Sequence, residues 1–119
     1  MVLRVPVKIM HGNRWIEVSA LLNTGFETDV PVVALPLDVA MRLGLRLGER
    51  HVYLGPGSMT GEVYLAGEVT VEIEAEGTRR SARAQAVIEP REPDVIISDK
   101  LIEELGIVID LKHKKWWLT

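Results

Sequence analysis

The chain has 119 residues, 47% of them hydrophobic, a formal net charge of −3 and no cysteine. That length fits one domain, residues 1–119, and the apolar content supports a packed core rather than disorder. The acidic balance excludes nonspecific binding to nucleic acid, which needs a basic face, and the lack of cysteine excludes a disulfide framework or a thiolate metal site.

Six residues are aromatic. Val, Leu, Ile and Ala do most of the filling, a bias that leans towards sheet. The opening segment, "MVLRVPVKIM", alternates and carries Arg4 and Lys8, unlike the continuous apolar core of a signal peptide. No apolar run approaches the roughly 20 residues that span a bilayer. The expectation is a cytoplasmic protein with no membrane partner.

Residues 2–9 alternate as a strand, and Pro6 marks it as an edge. "HGNR" (11–14) is a turn, after which Trp15–Val18 resumes the strand and delivers Ala20-Leu21-Leu22 into Asn23-Thr24-Gly25. "TDVPVVALP" (28–36) reads as a loop and strand. The apolar spacing from Leu37 predicts a short helix ended by Gly44 at the left-handed position. "GPGSMTG" (55–61) lies between two short apolar runs and reads as the tip of a hairpin.

Val69, Val71, Ile73 and Ala75 share one strand face, with Glu72, Glu74 and Glu76 on the other. After the turn "EGT" (76–78), Ala82, Ala84, Ala86 and Ile88 face one way, and Arg79 and Arg83 the other. Opposite charges on the two polar faces suit cross-strand pairing. Asp94–Ile97 is a short buried strand, Ser98 caps a helix over 99–105, and Gly106 ends it. Ile107–Ile109 and Trp116–Leu118 are closing strands around the exposed "KHKK" (112–115). Trp116 and Trp117 point to opposite faces, so one enters the core and the other awaits cover. A strand, loop, short helix and Leu-Gly-aliphatic sequence occurs twice, ending at Leu43-Gly44-Leu45 and at Leu105-Gly106-Ile107. The echo suggests two related halves.

Taken in order, these segments resemble the retropepsin-like aspartic proteases, the single-domain type that works as a homodimer. "ALLNTG" (20–25) is similar to that family's Ala-Leu-aliphatic-Asp-Thr-Gly loop. "LPLDVAMRLGL" (35–45), the glycine-rich tip at 55–61 and "DVIISDKLIEELGIVIDLKHKKWWL" (94–118) are similar to its post-loop segment, its flap and its final strand-helix-strand. The resemblance implies a mostly β fold, a closed or partly open β-barrel of the retropepsin type with one or two short helices. It implies a peptide or protein substrate and no cofactor or metal. It places Asn23, Thr24 and Gly25 at the catalytic loop. It makes Phe26, Glu27, Gly55, Pro56, Gly57, Ser58, Ile97 and Ser98 the substrate-binding positions.

Three departures stand out. Asn23 occupies the position of the family's catalytic Asp, Ser98 that of a glycine, and Phe26 that of a small residue. In the family's chemistry two carboxylates share one proton; one serves as general base on a water and the other polarises the scissile carbonyl. An amide cannot take the water's proton. Losing a general base costs about 10²–10⁴ in rate, and a homodimer of this chain lacks both. The expectation is an inactive or severely impaired site, engineered or natural. The alternative is a nonenzymatic β-barrel module that binds peptides or proteins and requires no dyad.

The remaining candidates read as ordinary features. Asn-Thr-Gly alone is common turn chemistry. His11, His51 and His113 lack metal-ligand spacing, and the Arg79-Arg80-Arg83 and 112–115 clusters read as solvated faces. Asp29, Asp94 and Asp99 are further acids, none paired with a base in the sequence.

Overall fold

The computed structural model describes residues 3–54 and 60–119. The chain runs β1 (Leu3–His11), β2 (Arg14–Leu22), β3 (Val32–Leu35), α1 (Leu37–Arg42), β4 (Arg50–Leu54), β5 (Thr60–Ala75), β6 (Thr78–Ile88), β7 (Val95–Ile97), α2 (Asp99–Leu105), β8 (Ile107–Asp110) and β9 (Lys115–Leu118). Strands pair in the order β1-β2-β7-β3-β6-β5-β4, and a further antiparallel contact between β1 and β5 closes six of them into a barrel. The expected mostly β barrel with two short helices is therefore the observed architecture.

Closure depends on a small patch, Lys8–Met10 against Glu72–Thr70. Pro6 lies outside that patch and faces only β2, opposite Ser19. The edge character expected from a residue without an N–H is thus local to the unpaired end of β1. Alternation fills the barrel: Val5, Ile9, Val71, Ile73, Ala86 and Ile88 are buried within one cluster. The β5–β6 turn at Glu76-Gly77 has both residues at positive φ, the geometry that matches strand twist in a two-residue hairpin. The charge pairing expected across it forms, with Arg79 Nη2 2.8 Å from Glu74. β5 is one continuous strand bent by a register shift between Leu65 and Gly67, where the sequence suggested two separate runs.

The repeat in the sequence is a repeat in topology. Exchanging β1 with β5, β2 with β6 and β3 with β7 maps the pairings among the six barrel strands onto themselves, while β4, paired to β5, has no counterpart among them. The parallel β2–β7 pair becomes the parallel β6–β3 pair, and the antiparallel β3–β7 pair maps to itself. Each half ends in a short helix, and the glycine after each, Gly44 and Gly106, is left-handed. β8 and β9 form a separate hairpin. Ile109, Trp116 and Leu118 pack on the core, while Trp117 is 47% exposed.

Candidate active site

The barrel brings β2 alongside β7, and the Asn23 loop begins where that pairing ends. Ala20, Leu21 and Leu22 run parallel to Val95, Ile96 and Ile97. The Asn23 N–H then extends the ladder to the Ile97 carbonyl at 3.3 Å. The chain turns at once: Phe26 N–H donates to the Asn23 carbonyl at 3.1 Å, and Gly25 N–H donates to the Asn23 side-chain Oδ1 at 3.0 Å. Side-chain closure of this kind is what Asn and Asp do in turns. A Cβ at Gly25 would sit 3.3 Å from that same Oδ1, so the glycine leaves room for the turn.

Asn23, Thr24, Gly25 and Glu27 are exposed, and Phe26 is half-buried. Phe26 packs on a second apolar cluster, Val32, Ala34 and Val87, together with Val63, Leu65 and Ile96. On another side, Asn23 and Thr24 share the rim of a shallow recess with Leu3, Leu21, Leu22, Ile109 and Leu111. The loop thus stands between two apolar surfaces, one floored by β3, β6 and β7, the other built from β1, β2 and the β8 end.

Ile97 and Ser98 lie directly behind the loop, each 0% exposed. As the chain stands, neither offers surface to a ligand. Ser98 holds the loop's far end instead. Its Oγ accepts from Val32 N–H at 3.0 Å and from Leu101 N–H at 3.3 Å, and its own N–H donates to the Val32 carbonyl at 3.1 Å. The helix cap expected from sequence is one of these bonds; the bonds to Val32 cross 66 residues and have no local signature. Asp99 adds two more, donating its N–H to the Phe26 carbonyl at 3.0 Å and accepting Thr28 N–H on Oδ1 at 2.9 Å. Thr28 was not among the expected site residues, and Asp99 figured there as an acid without a partner. An acid at the first turn of a capped helix is the one sequence signal for its role.

Gly55, Pro56, Gly57 and Ser58 lie outside the described residues. The strands that lead to them, β4 and β5, pair as a hairpin from Arg50 opposite Tyr64 to Leu54 opposite Thr60. Asp94 forms an ion pair with Arg4 at 3.0 Å on the surface. Among the described residues there is no metal-binding cluster of His, Cys, Asp or Glu, and no helix is long and apolar enough to cross a membrane.

No protein-family model matches the sequence, and no curated protein sequence matches it. Among solved structures, the retroviral protease-like domain of Ddi1 from Leishmania major is similar over 99% of this chain and 88% of that one. The sequence identity is 20% and the TM-score 0.60. At that identity the likeness is one of fold, and the chain has a retropepsin-like fold.

Proposed function

We infer that residues 1–119 form one retropepsin-like domain that acts as a homodimer, each copy contributing one Asn-Thr-Gly loop to a shared peptide cleft. Asn23 leaves that cleft without hydrolytic activity. The observation that carries the reading is the anchoring of Asn23. A side chain at the end of a buried strand, fixed by the Gly25 N–H and backed by β7 and Ser98, is held where a second copy could present the same group. Phe26 and the apolar cluster beneath it supply one wall for substrate side chains. The recess with Leu21, Ile109 and Leu111 supplies contact surface for the partner.

With Asp at position 23 in both copies, the pair would share a proton and titrate as a unit, one member activating water and the other polarising the carbonyl. With Asn, the donor function survives and the base does not. The decisive comparison is peptide hydrolysis by the Asn23 protein and by Asn23→Asp across acidic to neutral pH. The substitution is expected to raise the rate by about 10² or more. An Asp protein that cuts nothing in a broad peptide library would remove the protease reading. The second reading, a nonenzymatic module that binds peptides or proteins, is favoured by Asn23 itself. It predicts binding with no dependence on dimer formation, which sedimentation at a range of concentrations distinguishes.

A further inference from the structure

The face of the sheet turned away from the barrel core carries a row of apolar side chains. Leu22, Val33, Leu35, Ala86, Ile88 and Ile97 belong to the core cluster, so the residues that alternate with them face outward. Strand register lines these up. Leu21 is opposite Ile96, Ile96 opposite Ala34, Ala34 opposite Val87, and Val87 opposite Leu65. The row crosses five adjacent strands, β2-β7-β3-β6-β5. The outward face of such a sheet is ordinarily polar; none of these five residues is. The Leu21 end of the row lies in the recess rimmed by Asn23 and Thr24.

Phe26 sits on the middle of the row. It packs against Val32, Ala34 and Val87, all three of which are buried. Three short side chains leave a shallow seat, and one benzyl group fills it. The ring is held there through its backbone. Phe26 N–H donates to the Asn23 carbonyl at 3.1 Å, and its carbonyl accepts Asp99 N–H at 3.0 Å. With both groups bonded the Cα is fixed, and swinging the ring out would expose ring and cluster together. We propose that Phe26 fills, from within the chain, the apolar seat nearest Asn23, so that the cleft takes peptides with a small side chain (Gly, Ala or Ser) at the position facing that ring. This rests on the homodimeric cleft reading above. Packing sets the size limit, because a ligand methylene that meets a filled seat has to displace the ring or shift the backbone. A two-fold repeats every contact, so a second copy closes an equivalent seat. The restriction then falls at two peptide positions, one on each side of the bond that meets the Asn23 pair.

The test is the cleavage profile of a library of acetylated decapeptides, read by mass spectrometry. Asn23→Asp should cut where Gly, Ala or Ser stands at one position on each side of the bond. Leu or Phe at those positions should lower kcat/KM by about tenfold or more. Adding Phe26→Ala to Asn23→Asp empties the seat and should reverse that order at these two positions, with the other positions unchanged. Phe26→Ala also strips cover from an apolar cluster, so Phe26→Leu is the second variant. It keeps the seat covered with a smaller side chain and should give an intermediate preference. Thermal melting identifies the folded variants; where Phe26→Ala does not fold, Phe26→Leu decides. If Asn23→Asp cuts no peptide, the protease reading fails and takes this one with it. If Asn23→Asp cuts equally well with Leu or Phe at every position, the filled seat alone is overturned. A folded Phe26 variant that keeps the parent's preference would also overturn it, because another residue would then set the size limit.

Discussion

At the scale of single residues, the loop depends on side chains that are not themselves exposed in it. Ser98 is fully buried and its oxygen serves two backbone donors, one at the start of β3 and one in the first turn of α2. Ser98→Ala leaves both without that acceptor in a dry environment. The expected loss is about 1–3 kcal/mol in urea denaturation, since a buried unsatisfied donor costs more than a made bond gains. A loss within error would mean the two donors find other partners. Asp110 offers a pH readout remote from the loop. The His113 ring N–H donates to its carboxyl at 2.7 Å and the His113 backbone N–H at 3.2 Å, and these bonds hold the group below its ordinary range. A depressed carboxyl stabilises the fold above its unfolded value, and that contribution is lost as pH falls through the folded one. Asp110→Asn should therefore unfold at lower temperature than the parent at neutral pH. The gap should close on acidification; a gap that widens would contradict the assignment.

At the scale of elements, the sequence was most legible where structure is local. The alternation at Val69, Val71 and Ile73, the Glu76-Gly77 turn, and the glycines ending α1 and α2 each depend on backbone preference or on a period that neighbours share. Contacts between distant segments left no such trace. The β1–β5 patch that closes the barrel, the parallel β2–β7 pairing and the Thr28–Asp99 bond join residues many positions apart. The bulge between Leu65 and Gly67 hid the continuity of β5 for a related reason, because a register shift reverses the alternation that signals a strand. A further element-level contact is testable at Gly48, whose N–H donates to the Leu65 carbonyl at 2.7 Å. A Cβ there would lie 2.3 Å from that same oxygen. The obstacle is backbone, so the approach to β4 must shift. Gly48→Ala is expected to cost about 1–3 kcal/mol, the usual range for overpacking. Hydrogen exchange should locate the loosening at β4 and the neighbouring half of β5, with the β6–β7 side unaffected.

At the scale of the whole molecule, the internal two-fold supplies one Asn-Thr-Gly loop per chain. The β2-to-β3 loop carries Asn23, and its topological counterpart between β6 and β7 carries Glu89–Asp94, with no Asn-Thr-Gly. A complete pair of Asn23 loops therefore requires a second chain. The surface next to Asn23 suits one: Leu111, 52% exposed, rims the recess shared with Leu21 and Thr24. In a two-fold interface every contact occurs twice, so one substitution acts at two places. About half of each Leu111 side chain remains to be buried, worth roughly 1–1.5 kcal/mol per copy if the partner covers it. Leu111→Glu removes that from both copies and adds two like charges near the axis, so the dimer dissociation constant should rise by about 10- to 100-fold. The residue is exposed and sits at the end of β8, so the melting temperature of the separated chain should change little. Sedimentation equilibrium of the two proteins measures the shift directly. A dimer of unchanged affinity would place the two-fold axis elsewhere, away from Asn23, and the shared cleft would fall with it.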